Sequence, residues 1–251
     1  MTRTLWNFPA EPRPFDLRTL SLAESAMHPP VIVVLAPHPD DFDAIALTLK
    51  LFHDAGAEIH LAVLTTGASG VEDGFGDAIN DGQKGALREI EQRDSCALFG
   101  LPAERITFMA LPLDVSGNPP LDAANHERIR AYLAQRSPQL VFMPHGNDSN
   151  VTHQRTYALF RNVVLTQGWT MWAVLNQDAK TIKIRTDLYL PFDEEQAEWK
   201  AALLRQHRSQ HQRNLNTRGK GFDERVLAVN RQAGSGVNAP YAEIFELERF
   251  G

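Results

Sequence analysis

The sequence predicts an α/β fold of Rossmann-like type, a mostly parallel sheet flanked by helices on both faces. The first observation is the run Val31-Ile-Val-Val-Leu-Ala36, a continuous apolar segment typical of a strand that is buried on both faces. The second is the alternation of such runs with helical patterns, which is typical of successive βαβ units. The predicted fold ends in a C-terminal β-hairpin and helix elaboration.

The elements up to the fourth strand follow one another in regular order. After the first strand, apolar residues recur at helical spacing, and Gly56 closes that helix as a C-terminal cap would. In chain order we predict strand 31–36, helix 41–55, strand 58–64, loop 65–85, helix 85–99, strand 105–109, loop 111–121, helix 122–136 and strand 139–143.

The pattern changes in the last hundred residues. Helix 153–166 leads into two extended runs, 169–176 and 181–190, which a short polar connection would join as a hairpin. A long helix over 193–213 then precedes a polar tail in which residues 241–247 form an ordered segment. We therefore expect an N-terminal arm, residues 1–30, and a single domain over residues 31–251.

Composition narrows the class of protein. The 251 residues suffice for a sizeable core, and the formal charge of -6 argues against a nucleic-acid partner. No segment has the roughly 20 apolar residues that a membrane span needs, and the N-terminus lacks the apolar region of a secretory signal. A single cysteine, Cys96, excludes an intramolecular disulfide and a zinc ribbon. We expect a cytoplasmic enzyme.

Three polar residues follow the first strand and point to metal chemistry. In open α/β sheets, binding and catalytic groups collect beyond the carboxyl ends of the strands, where His38, Asp40 and Asp41 stand. Imidazole nitrogen and carboxylate oxygen are suitable zinc ligands, which assigns His38 and Asp41 to a metal. Asp40, between them, is placed for general-base catalysis.

A third ligand is expected from the loop after the fourth strand. That loop contains His145 and His153. His153 is preferred because it opens the next helix, which would hold its ring in place, and His145 is the alternative. Asp43 and Asp148 lie close by in sequence and would either orient ligand histidines or serve as solvated turn residues.

The motifs resemble those of the LmbE-like, or PIG-L-type, zinc-dependent N-deacetylases. Pro37-His-Pro-Asp-Asp41 is similar to the family's Ala/Pro-His-Pro-Asp-Asp signature, and Leu64-Thr-Thr-Gly67 to its Leu-Thr-x-Gly segment. Leu87-Arg-Glu-Ile-Glu-Gln-Arg93 resembles its Arg-x-x-Glu helix. His153 matches the last position of its second His-x-x-His-type motif, and Lys200, His207, Ser209 and Gln210 match a late Lys…His-x-Ser-Gln segment.

The resemblance implies an activity and a set of site residues. Members of the family use Zn²⁺ to remove an acetyl group from an amino sugar or sugar conjugate, here with His38, Asp41 and His153 as ligands and Asp40 as general base. The substrate-binding residues that it implies are Thr66, Gly67, Arg88, His207 and Gln210. The expected partner is a small N-acetylated sugar or conjugate, and the family is compatible with a homo-oligomer.

Two departures from the family pattern affect the mechanism. Phe42 replaces the usual Glu after the two aspartates, and Asn150 replaces the histidine that in the family assists the carbonyl or the oxyanion. Asn150 can donate a neutral hydrogen bond but cannot supply a proton, so His145 is an alternative for that role.

Two other readings of the zinc site stay open. One is a zinc amidase acting on a thiol conjugate or another conjugate, and the other is a divergent, non-catalytic member that binds metal or glycan. A nucleotide-binding Rossmann protein is disfavoured, because the glycines after the second strand match neither the phosphate-binding loop nor the dinucleotide fingerprint.

Overall fold

The protein was analysed as a computed structural model that describes residues 14–20 and 29–251. The strands are β1 (Phe15–Asp16), β2 (Val31–Ala36), β3 (Glu58–Val63), β4 (Ile106–Phe108), β5 (Leu140–Pro144), β6 (Met171–Asn176), β7 (Leu188–Phe192) and β8 (Tyr241–Phe250). The helices are α1 (Ala46–Asp54), α2 (Asp81–Phe99), α3 (Ala123–Arg136), α4 (Val151–Gln167), α5 (Glu194–Leu204), α6 (Arg208–Arg218) and α7 (Phe222–Gly236).

The eight strands of the described residues form one mixed sheet, in the order β1-β7-β8-β6-β5-β2-β3-β4. The five strands from β6 to β4 in this order are parallel to one another, as the βαβ pattern predicts. Strand β2 lies between β3 and β5, with Val33 opposite His60 on one side and Val141 on the other. The carboxyl ends of β2 and β5 therefore lie next to each other at one edge of the sheet.

The buried core has two layers, one on each face of the sheet. Along β2, Ile32 and Val34 pack into the layer under α1, α2 and α5, whereas Val33 and Leu35 pack into the layer under α3 and α4. This alternation explains the uninterrupted apolar run in the sequence, because both sets of side chains are buried. The α/β class with helices on both faces is confirmed.

The predicted hairpin between the sixth and seventh strands is wrong. β6 and β7 are not neighbours: β8 lies between them and pairs antiparallel with both. The two runs are close in sequence, which is typical of a hairpin. In the sheet, however, they are separated by β8, which follows α5, α6 and α7 in the chain. Residues 241–250 form the longest strand of the described sheet and are buried over their first half.

Three helix boundaries also differ from the predictions. α1 begins at Ala46 rather than at 41, after a 3₁₀ turn at Asp43–Ile45. α2 begins at Asp81 rather than at 85, because the side chain of Asn80 accepts a hydrogen bond from Gln83 N and caps the helix. The single helix expected over 193–213 is two helices, α5 and α6, which meet at His207.

The N-terminal arm was predicted over residues 1–30. Within its described part, β1 pairs in parallel with β7 and extends the sheet at that edge. Residues 1–13 and 21–28 lie outside the described residues. Among the described residues, no helix combines the length and the apolar character that spanning a membrane requires.

Candidate active site

A cavity of about 820 Å³ opens at the carboxyl ends of β2 and β5. Its size falls within the usual range for small-molecule sites. The predicted site residues that line it are His38, Asp40, Asp41, Thr66, Gly67, Arg88, Asn150, His153 and Gln210. His145 and His207 are not among its lining residues.

The three predicted metal ligands converge in this cavity. One ligand atom from each of His38, Asp41 and His153 lies within 4.8 Å of the other two. Asp41 is central, because its Oδ2 is 3.2 Å from His38 Nδ1 and its Oδ1 is 3.6 Å from His153 Nε2. The backbone N–H of His38 also donates to Asp41 Oδ2 at 2.8 Å, which closes the loop between strand and helix.

His153 is held by a second carboxylate on the side away from Asp41. Asp148 is fully buried, and its Oδ2 lies 3.2 Å from His153 Nδ1. Asp148 is held in turn by the backbone N–H of Asn150 at 2.6 Å. This carboxylate–histidine pair directs Nε2 of His153 towards the cavity, which is the usual orientation of a metal-binding histidine.

The charges of these groups are strongly coupled. Burial opposes ionisation of Asp41, but the charge of His153 and the hydrogen bonds from His38 outweigh it and lower the pKa of Asp41 to about 2. Burial likewise opposes charge on His153, yet the carboxylates of Asp41 and Asp148 raise its pKa to about 9. The two carboxylates therefore favour a positive charge at this site. That charge can be a proton on His153 or a metal ion bound in place of the proton.

The donor set fits zinc. Two imidazoles and one carboxylate are a common three-ligand combination for catalytic zinc, which leaves one coordination position free for water or substrate. A second group, Asp148, His153 and Asp178, also brings ligand atoms within 4.8 Å of one another. This second group shares His153 with the first group. Its Asp148 already accepts a hydrogen bond from Asn150 N and contacts His153, so we interpret the second group as holding His153 in place for the first.

Asp40 occupies an unusual backbone conformation. Its φ of +119° lies in a region that non-glycine residues rarely adopt, and such residues cluster at functional sites. Arg88, itself almost fully buried, donates from Nη2 to Asp40 Oδ2 at 2.8 Å and to the Pro39 carbonyl. The carboxylate of Asp40 is thus fixed at the cavity surface.

Gly67 allows Arg88 and Pro39 to approach the loop after β3. Its φ is +63°, and a Cβ at this position would lie 3.0 Å from Pro39 Cδ and 3.3 Å from Arg88 Nε. Any larger residue would press on both the proline before Asp40 and the arginine that holds its carboxylate. The neighbouring Thr66 also lines the cavity.

The two candidates for assisting the oxyanion are placed differently. Asn150 lines the cavity as the N-cap of α4, where its Oδ1 accepts from Thr152 N at 3.0 Å. Its amide nitrogen is therefore the end that can donate to a ligand. His145 accepts from Asn147 N through Nδ1 and has Nε2 3.3 Å from Glu246 of β8, so both of its ring nitrogens face protein groups.

The two late residues of the family-like segment also differ in position. Gln210 lines the cavity and donates to the Gly70 carbonyl at 2.9 Å. His207 is fully buried behind the cavity, with Nε2 2.6 Å from Asp43 Oδ2. Asp43 is itself fully buried, which excludes the alternative that it is a solvated turn residue.

Several lining residues belong to none of the sequence motifs. They come from the loop after β4, from the loop after β6 and from the helices α6 and α7. These residues are Leu113, Ser116, Gly117, Asn118, Asp178, Lys180, Arg213 and Arg225. A loop such as 111–121 is a common place for substrate contacts, but only the folded chain shows which residues of these segments line the cavity.

A protein-family model described as PIG-L, GlcNAc-PI de-N-acetylase, matches residues 33–164, just over half of the chain. This range contains all three candidate metal ligands, Asp40 and Asn150. It ends within α4, so β6, β7, β8 and the helices α5 to α7 lie outside the match. No curated protein sequence is significantly similar to the chain.

Solved structures share the fold at low sequence identity. N,N'-diacetylchitobiose deacetylase from Pyrococcus horikoshii, complexed with an inhibitor, has a TM-score of 0.72 and 19% identity over 87% of this chain and 83% of its own. The zinc-inhibited form of teicoplanin deacetylase Orf2 has a TM-score of 0.65 and 14% identity over 87% and 98%.

A third structure with the same fold has a different activity. GalB, the 4-carboxy-2-hydroxymuconate hydratase from Pseudomonas putida KT2440, has a TM-score of 0.66 and 17% identity over 88% of this chain and 96% of its own. Because a hydratase and deacetylases share this architecture, the fold by itself does not specify the reaction.

Proposed function

The chain belongs to the PIG-L family of GlcNAc-PI de-N-acetylases, and from this membership and the cavity we propose that it is a zinc-dependent hydrolase that removes the N-acetyl group of an amino sugar or sugar conjugate. The observation that supports the proposal most strongly is the meeting of His38, Asp41 and His153 in one cavity that Asp40 also lines.

The metal would be held by His38, Asp41 and His153. Bound zinc supplies a Lewis acid that polarises a carbonyl and lowers the pKa of water towards about 7. Asp148 keeps His153 in the tautomer that presents Nε2 to the metal. Asp41 is the one carboxylate among these three ligands, and the backbone N–H of His38 already donates to its Oδ2 at 2.8 Å.

Asp40 is proposed to move the proton of the attacking water. Its carboxylate accepts that proton as the new C–O bond forms at the acetamide carbonyl, and it returns the proton to the nitrogen as the C–N bond breaks. The products are acetate and a free amine. Arg88 holds the carboxylate directed at the cavity through the 2.8 Å contact from Nη2 to Oδ2.

Asn150 is proposed to assist on the opposite side of the carbonyl. Its Oδ1 is occupied by the helix cap, so the amide N–H groups are available to donate to the oxygen on which negative charge develops. The geometry favours Asn150 over His145 for this role, since both ring nitrogens of His145 face protein groups.

The proposed substrate is a small N-acetylated sugar or conjugate. The cavity is large enough for more than one sugar ring, and its lining includes hydrogen-bonding side chains such as Ser116, Asn118 and Gln210. The two similar deacetylases act on a diacetylated chitobiose and on teicoplanin, according to their names. Thr66, Gly67, Arg88 and Gln210 are proposed to shape the binding surface.

The decisive experiment measures acetate release from a panel of N-acetylated sugars and conjugates, together with the zinc content of the protein. We expect turnover that is lost on chelation and restored by zinc. Asp40→Asn should lower kcat about 10²- to 10⁴-fold while zinc stays bound. Asp81→Asn, which removes another carboxylate of the cavity lining, is the matched control and should remain active.

Other results would overturn parts of this proposal. Near-normal turnover by Asp40→Asn with zinc bound would exclude Asp40 as the base. Zinc binding without acetate release from any substrate would favour a non-catalytic member, and release of a larger acid from a conjugate would favour an amidase. A cytoplasmic location and a homo-oligomeric state are also proposed, and light scattering after gel filtration would test the second.

A further inference from the structure

We propose that Gln92 is a positioning residue for Asp40, with its amide oriented by Asp43 and, behind Asp43, by His207. The inference rests on the proposed role of Asp40 as general base and assigns three buried residues that do not line the cavity. Gln92 would act by holding the backbone of Asp40 in the conformation from which its carboxylate meets the substrate.

The backbone of Asp40 needs such a support. A φ of +119° is unfavourable for a residue with a Cβ, so it persists only where surrounding contacts oppose relaxation. Arg88 supplies contacts on one side, to the Pro39 carbonyl and to the carboxylate. Neither of these contacts holds the N–H of Asp40.

Gln92 holds that N–H. The backbone N–H of Asp40 donates to Gln92 Oε1 at 2.9 Å. Gln92 is fully buried in α2, one helical turn after Arg88. Helix α2 therefore makes two hydrogen bonds to Asp40, one to its carboxylate from Arg88 and one from its backbone N–H to Gln92. Together they fix the position and the direction of the Asp40 side chain.

Asp43 determines which end of the Gln92 amide faces Asp40. Gln92 Nε2 donates to Asp43 Oδ2 at 3.2 Å. A carboxylate accepts only and a backbone N–H donates only, so a flipped amide would lose both hydrogen bonds. The orientation with Oε1 towards Asp40 is therefore the only one that satisfies both neighbours.

Asp43 is fixed by two further buried side chains. Ser95 Oγ donates to its Oδ1 at 2.5 Å, and His207 Nε2 lies 2.6 Å from its Oδ2. His207 stands at the N-cap of α6, well beyond the end of the family match at residue 164. Through this chain of contacts, the C-terminal helices help to define the geometry of a residue that follows the first strand of the domain.

The first test is Gln92→Leu, which removes the acceptor without adding charge. Because Gln92 does not touch the cavity, kcat should fall about 10- to 100-fold with KM and zinc content unchanged. Amide hydrogen exchange at Asp40, followed by NMR, should accelerate. This second readout does not depend on the reaction, so it remains decisive even if the proposed activity fails.

A matched control separates positioning from general loss of stability. Asn230 is another buried amide, on α7, that accepts from Lys200 Nζ at 2.9 Å and donates to the Ala242 carbonyl. Asn230→Leu should lower the midpoint of thermal unfolding at least as much as Gln92→Leu. Its kcat and the exchange of the Asp40 amide should stay close to those of the unaltered protein.

A polarity swap gives the sharpest test. Gln92→Glu places a second carboxylate beside Asp43 and should be severely impaired. Adding Asp43→Asn to that variant restores a donor–acceptor pair while an oxygen of residue 92 still accepts from Asp40 N. His207 Nε2, which faces the same Asp43 oxygen, then accepts from the new amide in its Nδ1–H tautomer, so kcat should recover by at least about tenfold. The proposal is overturned if Gln92→Leu leaves the hydrogen-exchange rate of the Asp40 amide unchanged or lowers kcat no more than Asn230→Leu does. It is also overturned if kcat of the double variant does not rise above that of Gln92→Glu.

Discussion

The two walls of the cavity are built in different ways. The base wall consists of Asp40 and Arg88, which line the cavity, and of Gln92 and Asp43, which support them from behind. It is buried except at the Asp40 carboxylate, and its members are joined by hydrogen bonds of 2.8 to 3.2 Å. The loop wall, defined by residues 113–118 and Asn150, includes Leu113, which is 46% exposed, and Val115, which is fully exposed.

The difference agrees with the two tasks that we propose for the two walls. A group that transfers protons must be held within a fraction of an ångström, which requires a buried and fully bonded support. A surface that admits and selects substrates is commonly built from loops on a rigid scaffold. The loop wall is tied to α4 by Arg155, which binds Asp114, and by Thr152 Oγ1, which donates to Asn118 Oδ1 at 2.8 Å.

The largest effect that we predict is on the free energy of unfolding, and it concerns the buried ion pair Lys200–Glu243 behind the base wall. Lys200 Nζ donates to Glu243 Oε1 at 2.7 Å and to the Ala44 carbonyl at 2.5 Å, close to the loop of the candidate metal ligands His38 and Asp41. Lys200→Met would leave Glu243 as an unpaired buried charge and should lower the free energy of unfolding by about 3–5 kcal/mol. Urea denaturation measures this loss.

Two controls make that prediction specific to a buried pair. Lys50→Met removes an ion pair to Asp54 that is partly exposed, so it should cost less than about 1 kcal/mol. Adding Glu243→Gln to Lys200→Met removes the unpaired charge and should recover part of the stability. Equal losses in Lys200→Met and Lys50→Met would mean that burial does not make the Lys200–Glu243 pair more important for stability than an exposed pair.

The next effect is on the loop wall, at Asn150. Asn150→Asp keeps an oxygen that can cap α4 but removes the amide donor that we propose for the oxyanion, so kcat should fall about 10²- to 10³-fold. Stability should be retained, because a carboxylate at a helix N-terminus is favourable. Steady-state kinetics and thermal unfolding of the same variant separate the two roles.

Asn150→His is the matched comparison, since it introduces the residue that the family usually has there. The histidine can still donate a hydrogen bond to the oxyanion, so turnover should remain measurable. It does not replace the side-chain cap of α4, so the unfolding temperature should fall. Normal turnover by Asn150→Asp would show that the amide of Asn150 contributes nothing to catalysis.

The smallest effect concerns the anchor of the loop wall at Asp114. Hydrogen bonds from Ser116 and Arg155 lower the pKa of Asp114 in the folded protein. A lowered folded pKa stabilises the protein above the unfolded value near 3.8, and this stabilisation disappears as the pH falls through the folded value. The unfolding midpoint of Asp114→Asn should therefore lie below that of the unaltered protein at pH 7.

The gap between the two midpoints should narrow as the pH is lowered below about 4. The same substitution should raise KM modestly and leave kcat unchanged, because it loosens only the substrate side of the cavity. A gap that is independent of pH would show that the ionised Asp114 does not hold the loop.

Much of the fold could be predicted because the patterns that indicate its strands and helices lie within short segments of the sequence. The six-residue run of β2 is buried on both faces, and the prolines on either side of it, Pro30 and Pro37, mark where it begins and ends. The boundaries of β2, α3 and β5 agree with the predictions to within a residue or two. The pairing of β8 between β6 and β7 could not be predicted, because pairing depends on which strands meet in space.

The candidate site shows the same division. His38, Asp40 and Asp41 are adjacent in sequence, and His153 follows a strand that the βαβ pattern places next to theirs. Their convergence could therefore be anticipated. The role of His207 could not, since its motif suggested a neighbour of the substrate whereas the chain folds it behind Asp43.

The sequence by itself determined the α/β class, the order of the first strands and the residues that meet as a candidate metal site. Tertiary structure alone decided how those residues are held. The helix α1 has no side-chain cap of its own, and Glu243, 196 positions further along the chain, accepts from Leu47 N. His207 reaches Asp43 across 164 positions. Propensity and spacing describe short stretches of chain, whereas buried polar contacts between distant segments exist only after the core has brought those segments together.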